Sequence, residues 1–241
     1  HTTVYLVGGN IVKSTDAGAN WTILDTKLPC GDGAKTLVID PKNSSTLYAI
    51  IVTKVGTTVD YYVIKSTNGG TSWNQVSWNQ LSWKAHALAI DPTNSNNLYA
   101  STTAGLMKST DGGVTWNPSG TGLDTTNLGA VVIDPRIPSN LYIVADGAVY
   151  KSANSGGQWK ISSNGWETIG GLKAENLIID PLSPNNLYVI VRGGVTLSNA
   201  PETIYKTIDG GGQWNPIYVS SPSEDVQVVA LAPSNPVNLY A

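Results

Sequence analysis

The chain has 241 residues, 41% of them hydrophobic, enough for one sizeable core. Only 13% are charged, about half the usual share, and 25 Gly with 13 Pro exclude helical bundles and coiled coils. A net charge of -3, two Arg (Arg136 and Arg192), one Cys (Cys30), two His (His1 and His86) and no run of 18 apolar residues exclude a nucleic-acid stripe, a disulfide framework, a typical zinc site and a membrane span.

In chain order, Val4-Tyr5 opens a short apolar run, and a second run ends in KSTDAGANW at 13 to 21. LVIDP at 37 to 41 follows, then Leu47-Tyr48, then KSTNGGTSW at 65 to 73. The same series returns as LAIDP at 88 to 92, Leu98-Tyr99 and KSTDGGVTW at 108 to 116, and again as VVIDP at 131 to 135, Leu141-Tyr142 and KSANSGGQW at 151 to 159. LIIDP at 177 to 181, Leu187-Tyr188 and KTIDGGGQW at 206 to 214 complete a further copy, and ALAP at 230 to 233 with Leu239-Tyr240 begins another. This is an internal repeat, with Trp recurring every 43 to 55 residues.

Apolar runs of four to six residues bounded by Asp-Pro, Asn or Gly-Gly read as strands joined by tight turns, with no helix between them. The nine-residue motif carries a hydroxyl (Ser14, Ser66, Ser109, Ser152, Thr207), Asp or Asn two residues later (Asp16, Asn68, Asp111, Asn154, Asp209), Gly at plus four (Gly18, Gly70, Gly113, Gly156, Gly211) and Trp at plus seven (Trp21, Trp73, Trp116, Trp159, Trp214). The Asp or Asn side chain can accept backbone N–H groups across the turn, Gly supplies a positive φ, and Trp packs the hairpin on its neighbour. Four antiparallel strands per unit make a propeller blade, so the expected fold is an all-β propeller occupying 1–241 as one domain.

These five motifs resemble the Asp-box, or BNR, repeat of the β-propellers of sialidases, sortilin-type receptors, xyloglucan-cleaving endoglucanases and photosystem II assembly factors. The resemblance covers essentially the whole chain and implies that the motif is a structural hairpin lock facing away from the functional centre.

Counting strands leaves a surplus. The first unit offers three strands, at about 4 to 8, 10 to 14 and 20 to 24. The run VQVVALA at 226 to 232 can supply its missing inner strand and close five blades by exchange between the termini. Residues 238 to 241 then form one strand too many. Either the chain is a piece of a longer propeller of six or more blades, as the start at His1 rather than Met also suggests, or 238 to 241 is a free edge open to self-association.

Function is expected on the face opposite the motif turns. Seven of the 17 acidic residues belong to the repeat motifs. The other ten, Asp25, Asp32, Asp60, Asp124, Asp146, Glu167, Glu175, Glu202, Glu224 and Asp225, map to that face or beside it, with Trp78, Trp83 and Trp166. Carboxylates beside exposed indoles suit carbohydrate, since sugar rings stack on indole and hydroxyls bond carboxylates. The structural alternative is that loops collect charge and that these Trp cap the blades. Trp78, Trp83, Trp166, His86, Asp60 and Glu167 are the ligand-binding candidates, with His86 equally readable as a structural residue at a strand entry. Asp146 is similar to the strand-end acid of the xyloglucan-cleaving enzymes and is the candidate catalytic residue, while Asp146-Gly147 also reads as an ordinary hairpin turn. A glycosidase needs two carboxylates about 5 to 9.5 Å apart.

Sialidases are recognised by three arginines, so two exclude that activity, and Arg136-Ile137-Pro138 sits in the turn after Asp134-Pro135. An arginine-rich patch like that of the assembly factors is equally out of reach, as are the ten blades of the sortilin type. The composition suits a secreted, periplasmic or surface protein. The expectation is a noncatalytic binding or scaffold propeller for carbohydrate or a protein partner, with no cofactor, metal or nucleic acid. The alternatives are a polysaccharide hydrolase or fragment of one, and a structural subunit assembling through edge strands.

Overall fold

The computed structural model of the protein describes residues 2–24, 33–55, 57–76, 84–165, 173–192, 202–221, 226, 229–231 and 239–240. Among them every regular element is a β-strand, every sheet is antiparallel, and no helix is long and apolar enough to cross a membrane. Four sheets have four strands in consecutive order, the blades of a β-propeller. The chain divides into two compact units, His1–Asn117 and Pro118–Ala241, described in turn.

The first unit opens with a three-stranded sheet, β1 (Val4–Gly8), β2 (Asn10–Ser14) and β3 (Thr22–Ile23). A four-stranded sheet follows, β4 (Gly33–Ile39), β5 (Leu47–Val55), β6 (Thr58–Ser66) and β7 (Asn74–Gln75). The next is β8 (Ala85–Ile90), β9 (Leu98–Thr102), β10 (Gly105–Ser109) and β11 (Asn117–Pro118). Successive strand residues point to opposite faces, and in β5 both faces are buried. Leu47, Ala49 and Ile51 pack with Ile11, Ile64 and Trp73 on the β1 side, while Tyr48 and Ile50 pack with Leu88, Leu98 and Ala100 on the β8 side. Two-sided burial explains why the Leu-Tyr strands read as continuous apolar runs.

The second unit holds β12 (Leu128–Ile133), β13 (Leu141–Ala145), β14 (Ala148–Ser152) and β15 (Lys160–Ile161), then β16 (Lys173–Ile179), β17 (Leu187–Arg192), β18 (Thr203–Thr207) and β19 (Asn215–Val219). Their shared core holds Tyr142, Val144, Leu187, Val189 and Trp214. A last pair, β20 (Ala230–Leu231) and β21 (Leu239–Tyr240), forms a two-stranded sheet whose Leu239 packs with Val226, Val229, Ile190 and Ile204. Within 226 to 232 the described strand is therefore β20, paired to β21, and the β1 sheet has three strands among the described residues. The pairing Leu231↔Leu239 and Ala230↔Tyr240 repeats that of Ile39↔Leu47 and Val38↔Tyr48, so β20 and β21 pair as the first two strands of the other repeats do.

All five motif turns share one geometry. In the third, Ser109 Oγ donates to Asp111 Oδ1 at 2.8 Å and accepts the Gly113 N–H at 2.9 Å, while Asp111 Oδ1 accepts the Thr115 N–H at 2.9 Å. Asn68 and Asn154 reproduce it with an amide oxygen, and Thr207 with a threonine hydroxyl. Hydrogen bonds from Asn20 and Thr115 lead the groups holding Asp16 and Asp111 down to about 2. A Cβ on Gly70, at φ 88°, would lie 2.4 Å from Leu24 Cδ1, so the backbone favours glycine there and a larger residue would also displace the Leu24 side chain. The indoles of Trp159 and Trp214 reach back to the carbonyls of Ser119 and Ser162 at 2.8 and 2.7 Å. Trp21 and Trp116 instead donate to Gly18 and Gly113 of their own turns, and Trp21 is exposed.

The Asp-Pro turns are closed by buried carboxylates. Asp91 accepts the backbone N–H groups of Thr93 and Asn94 and the amide of Asn97; Asp134 and Asp180 accept the corresponding backbone groups. Arg136 spans to the Leu182 carbonyl, a turn contact. Within each unit the Lys before the hydroxyl lies over the Tyr of the Leu-Tyr strand, as Lys151 does over Tyr142 at 5.2 Å, and both donate to the Gly210 carbonyl of the next motif. Burial, with the charges of Asp134 and Asp209, pushes the Tyr142 hydroxyl up to about 12.

Candidate functional site

The motif turns and the Asp-Pro turns meet on one face, as the bonds from the Gly69 N–H to Ser45 O and from the Gly210 N–H to Asn185 O show. In the second unit a pocket of about 230 Å³ is lined by Asn127, Leu128, Gly129, Val144, Gly147, Ala174 and Glu175. These come from the start of β12, the β13–β14 turn and the start of β16, three of the segments that the repeat assigns to the opposite face.

Asp146 and Gly147 form a two-residue hairpin turn with φ of 49° and 79°, the double positive φ that favours Asp-Gly. The turn holds Asp146 exposed. Its N–H donates to the Asn127 carbonyl at 3.0 Å, and the Asn127 side-chain amide donates to Asp146 Oδ1 at 3.4 Å. Leu128, Val144 and Ala174 give the pocket an apolar floor, and Gly129 leaves it open, since a Cβ there would crowd Val144 at 3.3 Å.

Glu175 ties this pocket to an ion-pair cluster. Arg192 lies 3.0 Å from Glu175 Oε2 and 3.1 Å from Glu202 Oε1, and its other terminal nitrogen donates to the Val226 carbonyl at 2.9 Å. Glu202 Oε2 accepts the Val226 N–H. One guanidinium thus faces two carboxylates. Asn176, next to Glu175, has φ 50° and lies where β16 slips register against β17 between Glu175 and Ile178. Equivalent slips interrupt β4 at Ala34/Thr36, β8 at Ala85/Ala87 and β12 at Leu128/Val131. Bulges turn side chains out of the pleat, and Lys35 and His86, both exposed, are the residues so placed in the first unit.

The sequence-derived candidates therefore part company. Glu175 lines the pocket, and Asp146 stands at its edge through its bonds to Asn127 and its neighbour Gly147. Asp60 lies in the first unit, in the β5–β6 ladder opposite Thr53, and His86 is the bulge residue of β8. Trp78, Trp83, Trp166 and Glu167 lie outside the described residues. Sequence reasoning missed Asn127, Asn176 and the partnership of Arg192. The break in alternation within KAENLII was the available signal for the bulge. Among the described residues no group of three or more His, Cys, Asp or Glu is placed to hold a metal ion.

Neither a protein-family model nor a curated protein sequence matches the chain. Solved structures do. The GH74 enzyme of Niastella koreensis superimposes with a TM-score of 0.78 at 23% identity, over 99% of this chain and 38% of that one. The GH74 xyloglucanase of Xanthomonas campestris gives 0.62 at 16% identity, over 99% of this chain and 48% of that one. YCF48 bound to a D1 peptide gives 0.57 at 17% identity, over 89% and 63%. The chain spans less than half the length of both GH74 structures. At these identities the likeness establishes the class of fold, a β-propeller.

Proposed function

We propose that the protein is a carbohydrate-binding propeller that holds a neutral glycan at the Asn127–Asp146–Glu175 pocket without cleaving it, and that its motif turns are Asp boxes serving only the scaffold. One observation carries this reading: an exposed carboxylate and an amide, Asp146 and Asn127, stand together beside a small apolar floor. A pyranose ring has the matching surface, an apolar face edged by vicinal hydroxyls that donate to a carboxylate and accept from an amide. Asp146 and Glu175 set carboxylates at the pocket, and the nearby Arg192 is taken up by Glu175 and Glu202, which disfavours uronic and sialic acids.

Cleavage by the two-carboxylate route needs two carboxyl groups free to flank the scissile bond. Glu175 and Glu202 are tied to Arg192, which leaves Asp146 as the carboxylate of this pocket outside the ion pairs among the described residues. A hydrolase, or part of one, is the second reading, favoured by the GH74 neighbours. The low charge suits an exported protein in either reading.

The test is calorimetric titration with xyloglucan oligosaccharides and, as the charged control, oligogalacturonate, with reducing ends assayed in parallel. Binding of the neutral glycan that is lost at least tenfold in Asp146→Ala, with no release of reducing ends, is the expected result. Preference for oligogalacturonate, or indifference to Asp146→Ala, overturns the assignment. Release of reducing ends selects the hydrolase.

A further inference from the structure

We infer that the pocket beside the fourth motif turn, where Lys151 and Lys160 meet, binds a tetrahedral oxyanion, the phosphate or sulfate group of an ester. The pocket lies in the second unit, at the motif turn, and is independent of the glycan site. It makes this turn an exception to the scaffold-only role of the others.

The pocket has a volume of about 320 Å³, and Lys151, Asn154, Gln158, Lys160, Ile161 and Ser162 contribute to its lining. Its charge follows from two departures within the repeat. Nine residues after the motif lysine stand Thr22, Asn74, Asn117, Lys160 and Asn215. Lys13 is accordingly opposite Thr22 in its ladder, Lys65 opposite Asn74 and Lys206 opposite Asn215, whereas Lys151 is opposite Lys160. The motif acid is Asp16, Asp111 and Asp209 in the first, third and fifth turns, and here it is replaced by Asn154. The second turn also has an amide, Asn68, but a neutral Asn74 in place of the second lysine. The fourth turn is therefore the one that both adds a lysine and drops the carboxylate. Like charges directly opposite each other on a sheet lower stability. Such a penalty at one of five otherwise equivalent positions points to a role outside the fold.

The polar groups left over from the turn are donors. Asn154 Oδ1 accepts the Ser152 hydroxyl at 2.9 Å and the Gln158 N–H at 2.8 Å, which leaves the Asn154 amide nitrogen unbonded among the described residues. In the first three turns the residue at the place of Gln158 pairs with the motif Asp or Asn side chain: Asn20 with Asp16 at 2.7 Å, Ser72 with Asn68 at 2.8 Å and Thr115 with Asp111 at 2.6 Å. The Gln158 side chain makes no such bond among the described residues. Lys151 donates one N–H to the Gly210 carbonyl at 2.9 Å and keeps two. Asp134 and Asp209 act on the Tyr142 hydroxyl, over whose ring Lys151 sits, so the Lys151 charge is partly balanced. No carboxylate lines the pocket to balance Lys160. An ammonium offers three donors and no acceptor, and an amide nitrogen two donors, a set that suits a group whose outer atoms are all acceptors. Ile161, 62% exposed, lines the same pocket and offers apolar contact to the organic part of an ester.

Amide NMR spectra of 15N-labelled protein, titrated with inorganic phosphate and separately with sulfate at an ionic strength held constant with sodium chloride, read the site. The expected result is saturable shifts of the Asn154 and Gln158 side-chain amides and of the Ile161 N–H. Asn154→Asp restores the carboxylate that Asp16, Asp111 and Asp209 supply elsewhere, so it should keep the wild-type urea midpoint and weaken binding about tenfold or more. Lys160→Gln removes the second ammonium and should weaken binding about fivefold or more. The anion that saturates at the lower concentration names the ester, phosphate or sulfate. Shifts that rise linearly without saturating, or saturable binding that neither variant weakens, overturn the proposal.

Discussion

Replacing Ser109 with Ala removes an oxygen that three groups of the third motif turn use. Ser109 is fully buried, and its Oγ accepts the Gly113 N–H at 2.9 Å and the Asp111 N–H at 3.3 Å while donating to Asp111 Oδ1 at 2.8 Å. Alanine leaves the buried Gly113 N–H without a partner, a cost of about 1–3 kcal/mol. The lost donor to Asp111 adds about 0.5–1 kcal/mol, discounted because that carboxylate faces water and can be rehydrated. The expected loss is about 2–3 kcal/mol, or close to 1 M in the urea midpoint at a slope of about 2–3 kcal/mol/M. Trp fluorescence during equilibrium unfolding reads it directly. Thr207 makes the same three bonds in the fifth turn, so Ser109→Thr should stay within about 1 kcal/mol of wild type. An alanine variant within about 0.5 kcal/mol of wild type, or a threonine variant as unstable as alanine, would refute the reasoning.

Asp16 and Asp111 are held near 2, below their ordinary 3.8, so their contribution to stability is complete above about pH 4 and fades as pH falls toward about 2. Asp111→Asn, a change already present at Asn68 and Asn154, should leave the urea midpoint at pH 7 near wild type and flatten its fall between those pH values. Ala17 sits at φ 60° where Gly69, Gly112 and Gly210 stand in other turns, so Ala17→Gly should raise stability by about 0.5–1 kcal/mol in thermal unfolding. Gly70→Ala meets both positive φ and the Leu24 methyl and should lower the urea midpoint more than Ala17→Gly raises it.

The scaffold was legible because each of its features is a local rule written several times. The turn chemistry follows from hydroxyl, Asx and Gly at fixed offsets, and it recurs in all five motifs even where Asn or Thr substitutes. The Leu-Tyr strands announced two-sided burial by their unbroken apolar runs. The inner-strand bulges were less visible, because one extra residue in AHALAI or KAENLII changes register without changing composition. The Glu175–Arg192–Glu202 cluster joins the starts of β16 and β18 to the end of β17, and no spacing rule predicts a contact of that kind. Asp146 was readable both as a turn residue and as a site residue. The structure shows the turn, and the turn is what presents the carboxylate.

Hydrogen–deuterium exchange with and without a saturating neutral xyloglucan oligosaccharide tests the central claim that ligand is held on the Asn127–Asp146–Glu175 rim while the motif turns serve only the scaffold. Slowed exchange confined to peptides spanning 124–130, 144–148 and 173–177, with 108–116 and 206–214 unchanged, is the predicted result. Protection centred on the motif turns, or none at the rim under saturating ligand, would contradict it.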